Sequence, residues 1–380
     1  MGLEIFACTP GVTTSNEFWS KEILNSAGVH APLTVEVVWR GQELRDLCMT
    51  IRQVRIEAGD SDIVVIVPVR NSRVVTDLRS VYTNAVWQID LAGQNWSSPG
   101  WRTFGDVAVD PAMEPGSPVV RRFLSLVLGP STGGPTSTEQ AMYFAAVAAL
   151  RSDAIRGHVG AAICDAEGEV LAVGANEVPK AGGGQYWVDD SRDGRDRARF
   201  GFDFATSERN RDFEDVLEWL IEVGELPEER LAAIRAEVQQ RLRSARLPRV
   251  LHGKARGRAV HAEEAALLSA ARRGVSVRDS QLFTTQLPCH VCLRHLVAAG
   301  ISRICYLRGS ETHELDYRHG DAVTLGESDT NSRVPLITFT GIAPRGYTRL
   351  FGKTPDEQRT DEGFWKIFEE AICGQPHDIM

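Results

Sequence analysis

VHAEEAALLSAARR, residues 260–273, and QLPCHVCLRHLVAAG, residues 286–300, decide the fold of this chain. His261-Ala262-Glu263 stands at the head of the first stretch and Pro288-Cys289-His290-Val291-Cys292 at the head of the second. Each head is followed by an Ala- and Leu-rich run that stops at a glycine, Gly274 or Gly300, which predicts two helices with C-terminal glycine stops. Residues 280–285 (SQLFTT) and 303–307 (RICYL) read as strands. The order is therefore helix, strand, turn, helix, strand. One imidazole and two thiols are three zinc ligands, leaving a fourth position for water, as in a catalytic rather than a structural site. Glu263, two residues after His261, is not expected to bind the metal. Pro288 ends a strand and opens a helix, and a helix N-terminus biases Cys289 and Cys292 toward thiolate. His290 and His295 are the only local rivals for a fourth ligand. His290 reads as a packing residue or one that touches a phosphate or supports the ligands, and His295 as a supporting or surface residue.

H-x-E followed by P-C-x-x-C resembles the signature of the zinc-dependent cytidine deaminases. The resemblance implies one catalytic Zn2+ per subunit, held by His261, Cys289 and Cys292, which lowers the pKa of its water to about 7. Glu263 would take the proton from that water and deliver it to the pyrimidine ring nitrogen and the departing ammonia.

The chain has 380 residues, enough for two domains or more, and 43% hydrophobic residues, enough for real cores. Its seven cysteines include one close pair and are odd in number, the pattern of a reducing compartment rather than of a disulfide framework. The start MGLEIFACTP lacks the basic and apolar run of a signal peptide, and no apolar stretch reaches membrane-spanning length. A cytoplasmic protein without a membrane partner is expected. The net charge of −9 and the lack of a strong Lys/Arg tract argue against a nucleic-acid partner. The locally basic residues 241–258 (RLRSARLPRVLHGKARGR) read either as a solvated loop or as a phosphate-facing loop ahead of His261.

Residues 129–135 (GPSTGGP) divide the chain. Before them, strands at 3–7, 33–39, 62–69 and 85–90 alternate with helices at 17–27, 43–59 and 74–82, which predicts a small parallel α/β domain. Its first strand runs into CTPGVTTS, residues 8–15, where a P-loop would stand, yet there is one glycine and no lysine for phosphates. Kinase activity is not expected there; a scaffolding or sensing domain is, with residual nucleotide binding the alternative. After the divide, residues 138–151 form an alanine-rich helix behind a Thr136-x-x-Glu139 capping box. Residues 159–165 and 170–175 form a hairpin around Glu167-Gly168. Asn176 follows, either a turn residue or a group that reaches a sugar hydroxyl. An insertion then opens with Gly182-Gly183-Gly184-Gln185-Tyr186-Trp187, passes through the charged residues 189–210 and continues as a helical pair at 212–223 and 228–245. The glycines permit close backbone approach to a ligand. Trp187 could stack on a base, and Arg192, Arg195, Arg197 and Arg199 either neutralise phosphates or belong to an ordinary charged surface.

HAEE (261–264), PCHVCLRHLVAAGI (288–301), GGGQYW (182–187), HGDAV (319–323) and FTGIAPRGYTRLF (339–351) together resemble the deoxycytidylate deaminase family, and more closely the two-domain bacterial antiphage dCTP deaminases. DIVVIVPVRNSRVVTDLR (62–79) resembles the N-terminal domain of that group. The resemblance implies a degenerate P-loop kinase-like α/β domain (1–129), a linker (130–135), a cytidine deaminase-like α/β/α sandwich (136–355) with a helical insertion (182–258), and a C-terminal tail (356–380) with a helix at 362–373. It implies a free deoxycytidine nucleotide as substrate, with Asn176, Gly183, Gly184, Tyr186, Trp187, Ala262, His290 and Tyr306 about it. It also implies a homo-oligomer and a possible regulatory partner of the N-terminal domain. Two departures stand out: the missing P-loop residues, and RGSETHELDY (308–317), which differs from the family's segment beside the nucleotide pocket. The alternatives are a deaminase of a modified or ribo-cytidine compound or of polynucleotide cytosine, and a non-catalytic nucleotide-sensing module, which would have no need of Glu263.

Overall fold

A run of apolar residues buried on both sides builds the first sheet. In β1 (Leu3–Cys8), Phe6 and Cys8 enter one core and Ile5 and Ala7 the other, the pattern of a strand covered on both faces. The computed structural model describes residues 3–8, 18–19, 21, 33–36, 44–58, 63–68, 72–82, 85–91, 105–109, 117–128, 133–155, 157–241, 257–309, 317–326 and 332–352. The P-loop position after Cys8, most of the helix expected at 17–27, most of the 129–135 divide and basic residues 242–256 lie outside the described residues. So do residues 310–316 of the departing segment and the tail with its helix at 362–373.

β1 pairs in parallel with β3 (Ile63–Pro68) and β4 (Val86–Leu91); β2 (Leu33–Glu36) and β5 (Val107–Val109) extend the sheet, also in parallel. Helices α1 (Leu44–Ala58) and α2 (Ser72–Tyr82) cover one face through Leu47, Ile51, Val75 and Leu78. Helix α3 (Pro118–Leu128) covers the other through Val120, Phe123 and Leu124. The parallel alternation up to β4 matches the expected strands, whereas β5 and α3 extend the domain beyond them.

The second sheet is built of β6 (Gly160–Cys164), β7 (Val170–Ala175), β8 (Gln281–Thr284), β9 (Arg303–Tyr306), β10 (Val323–Leu325) and β11 (Val334–Thr338), in the order β10-β11-β9-β8-β6-β7. Helix α4 (Ser137–Ala149) packs on one face, against Ala162, Cys164, Phe283 and Cys305. In the insertion stand α5 (Asp196–Phe200), α6 (Phe204–Glu222) and α7 (Leu231–Arg241). Helices α8 (Ala262–Arg272) and α9 (His290–Ala298) pack on the sheet's other face, against Ala161, Ile163, Leu282 and Ile304. The result is a mixed α/β fold with two parallel-rich sheets. Two glycines let the helices approach closely. A Cβ at Gly174 would meet Ala262 O and Ala266 N of α8 at 2.3 Å, and one at Gly160 would meet Ala145 O of α4 at 2.0 Å.

The chain then returns to the first sheet. β12 (Gly341–Ile342) adds an antiparallel strand beside β5, and α10 (Pro344–Phe351) follows it. Glu139 ties this return to α3 and α4. It accepts from Ile342 N (2.9 Å) and Arg122 Nη2 (2.9 Å) and completes the expected capping box with Thr136. From α10, Arg349 donates to Val86 O (2.9 Å), lies 3.5 Å above the Trp87 ring and pairs with the buried Asp106 (3.2 Å), to which Arg79 also binds. Beside it, Trp87 Nε1 donates to Glu4 (2.6 Å), whose carboxyl is pushed up to about 8 by burial.

Candidate metal centre

Two helix N-termini meet at the ends of β7 and β8. His261 caps α8 and Cys289 caps α9, both with extended backbone, so their side chains point off the helix ends. The position of His261 follows from the Gly174 contact and from the paired hydrogen bonds between Val260 and Glu177 (3.1 and 3.2 Å). The turn carrying Cys289 is held by the bond from Leu287 N to Arg308 O (2.6 Å). Helix α9 starts at His290, so Cys292 stands in its first turn rather than at its head.

His261 Nδ1 lies 3.2 Å from Cys292 Sγ and 3.5 Å from Cys289 Sγ, and the sulfurs are 3.6 Å apart. A tetrahedral zinc with ordinary bond lengths requires ligand separations of about 3.6 Å for N–S and about 3.8 Å for S–S. The donor chemistry and the spacing therefore both fit Zn2+, bound through Nδ1 and two sulfurs. The groups are strongly coupled. The hydrogen bond with Cys292 brings the Cys289 thiol down to about 3, with help from His261 and against burial. The bond with Cys289 raises His261 to about 9, and Cys292 is driven up, first by Cys289 and then by burial. A divalent cation would take the place of the protons these groups share.

Glu263 lies beside the triad, 4% exposed, and burial raises its carboxyl above the ordinary range. Its Oε1 lies 3.4 Å from Thr284 Oγ1, which also donates to Gln286 O (3.1 Å). Thr284 was not singled out in the sequence, although alternation with the inward-facing Leu282 signals a polar group aimed at α8. His295 pairs with Glu264 (3.0 Å) and joins α8 to α9 from the half-exposed side.

The other expected residues are spread around this centre. Asn176 accepts from Val159 N (2.7 Å) and donates to Gly157 O (2.9 Å), which anchors the loop ahead of β6. Gly183 and Gly184 have left-handed backbone (φ 97° and 81°) and lie against the Arg272 side chain. Tyr186 packs on Gly194, where a Cβ would meet its ring at 2.4 Å. Trp187 is half exposed, with the Arg151 guanidinium 3.7 Å from its ring centre; Arg151 also binds Gln185 (2.8 Å). Ala262 is fully buried, and His290 is partly buried. Tyr306 is buried, its hydroxyl 3.1 Å from Thr338. Of the four arginines, Arg195 forks onto Asp193 and reaches Asp153, Arg197 pairs with Asp153, and Arg199 lies over Phe200, while Arg192 is exposed.

An imidazole and two thiols, with a buried carboxyl alongside, form a group that could hold a zinc ion through three protein ligands. Residues 135–308 match the model of the cytidine and deoxycytidylate deaminase zinc-binding region. Over 123 residues the chain is 30% identical to ComE operon protein 2 of Bacillus subtilis (strain 168), a match covering 30% of this chain and 61% of that relative. Solved structures with similarity include the dCMP deaminase of cyanophage S-TIM5 in apo form (16% identity, TM-score 0.28, covering 54% of this chain and 99% of that one). The same enzyme in complex with dCMP and dUMP gives 18% identity and TM-score 0.29, covering 54% and 98%. The chain spans about three fifths of the length of that Bacillus relative, and the matched region contains His261, Cys289 and Cys292. Among the described residues no helix is long and apolar enough to cross a membrane.

Proposed function

We propose that the chain hydrolyses the amino group of a free deoxycytidine nucleotide, dCTP or dCMP, to give the deoxyuridine nucleotide and ammonia. The observation that carries this reading is the zinc-spaced His261/Cys289/Cys292 cluster with a buried carboxyl, Glu263, beside it. Zinc, when bound, supplies an activated water at neutral pH. The chain's own residues do the rest. Glu263 takes a proton from the attacking water, places it on ring N3 and carries the second proton to the leaving amine. Burial suits the carboxyl to hold a proton between these transfers. Asn176 keeps one amide hydrogen beyond its bond to Gly157, the group a sugar hydroxyl would use. Trp187, exposed above Arg151, offers a face for a base or a lid over it.

The division into 1–129, 136–355 with its insertion, and the tail, assembly into a homo-oligomer, and depletion of the deoxycytidine nucleotide pool in antiphage defence complete the proposal. The motif resemblance supports them. Parallel assays on dCTP, dCMP, deoxycytidine, CTP and a single-stranded DNA oligonucleotide test the substrate. Turnover restricted to deoxycytidine nucleotides is the expected result and fixes the phosphate number. Turnover of the oligonucleotide or of CTP in preference to them would overturn the assignment.

A further inference from the structure

We propose that Thr284 is a positioning residue for Glu263, its hydroxyl holding the carboxyl in line with the metal centre. The inference rests on the deaminase reading above and deepens it. Thr284 is the last residue of β8 and fully buried. The strand's alternation puts Thr284 on the same face as Leu282, which packs with Ala262, Ala266, Leu293 and Ile304 beneath α8 and α9. A valine would fill that space equally well, so shape alone does not call for a hydroxyl. The hydroxyl has two partners, Glu263 Oε1 at 3.4 Å and the Gln286 carbonyl at 3.1 Å, but only one proton.

That single proton serves both states of a shuttle. While Glu263 is a carboxylate, Thr284 donates to Oε1. While Glu263 carries a proton, it donates to Thr284 Oγ1, and Thr284 turns its own proton to Gln286 O. The carboxyl thus keeps its place whichever way the proton moves. Thr284 stands on a rigid strand between two packed neighbours, which suits a group that must locate a carboxyl to within a fraction of an ångström.

The test uses the full, zinc-quantified chain as wild type, Thr284→Val and Thr284→Ser. The valine variant is expected to keep its zinc and stay folded, with a melting temperature lowered by the loss of the two hydroxyl bonds. Its kcat for dCMP should fall about tenfold with KM within about twofold, the size of one lost hydrogen bond to a charged group. Serine should restore kcat to within about threefold of wild type. A valine variant with wild-type kcat, or a serine variant as impaired as valine, would overturn the proposal. Crystal structures of the zinc-loaded wild type and Thr284→Val decide the geometry without turnover. The Glu263 carboxyl should swing away in the variant, and an unmoved carboxyl refutes the positioning role. A wild type that turns over no cytosine nucleotide would instead contradict the deaminase reading, and the two structures would still decide the role of Thr284.

Discussion

At the scale of the residue, the centre combines three donors whose chemistry fits a cation with one buried carboxyl beside them. His261, Cys289 and Cys292 meet at zinc-like separations, and Glu263 is set back by its place in the first turn of α8. Three predictions belong here. Glu263→Gln should keep one zinc per chain while kcat falls by about 10²–10⁴-fold, the range for loss of a general acid–base, as checked by metal analysis and ammonia release. Cys289→Ser should lose the zinc itself. Chelation of the wild type should lower its melting temperature, because binding to the folded site is linked to folding. The motif residues were legible in the sequence because the chemistry demands fixed residue types at fixed spacing. The residues that orient them were not: Thr284, Glu177 and Arg308 reach the site through strand pairing and backbone bonds that no local spacing encodes.

At the scale of the element, position depends on close approach. Helix α8 can seat His261 only because β7 presents Gly174 to its backbone. Gly174→Ala should push α8 outward, cost about 1–3 kcal/mol or more in urea unfolding, and weaken zinc binding although it touches no ligand. An alanine variant with wild-type stability and zinc affinity would contradict this placement. Glu139 does comparable work at the joint between the sheets, with one carboxylate serving a helix cap, Arg122 and the amide of Ile342. Glu139→Ala should destabilise the fold by about 2–4 kcal/mol in the same assay. The capping box was visible in the sequence from Thr136 and Glu139. The arginine and the strand that share the carboxylate come from distant parts of the chain and left no local trace.

At the scale of the whole molecule, the two sheets are held by a return of the chain that alternation along the sequence did not reveal. β12 is only two residues long, too short to show periodicity, yet it and α10 bring Arg349 between Trp87 and Asp106. Glu4 lies behind Trp87 with a carboxyl raised from an ordinary 4.5 to about 8 by burial. The folded chain therefore keeps a proton that the unfolded chain gives up. Glu4 contributes stability that is fully present below about pH 4.5 and lost as the pH rises toward about 8. Glu4→Gln should flatten that part of the stability profile in pH-dependent urea melts, and an unchanged slope would refute the buried, protonated carboxyl.

The most direct measurement of the central claim is conversion of a deoxycytidine nucleotide by the full chain with its zinc counted, followed as ammonia and deoxyuridine nucleotide formed in equal amounts. The account predicts one zinc per chain, stoichiometric conversion of dCMP or dCTP, and its loss in Glu263→Gln with the zinc retained. A chain that holds one zinc and leaves both nucleotides unchanged, or a Glu263→Gln chain as active as wild type, would contradict it.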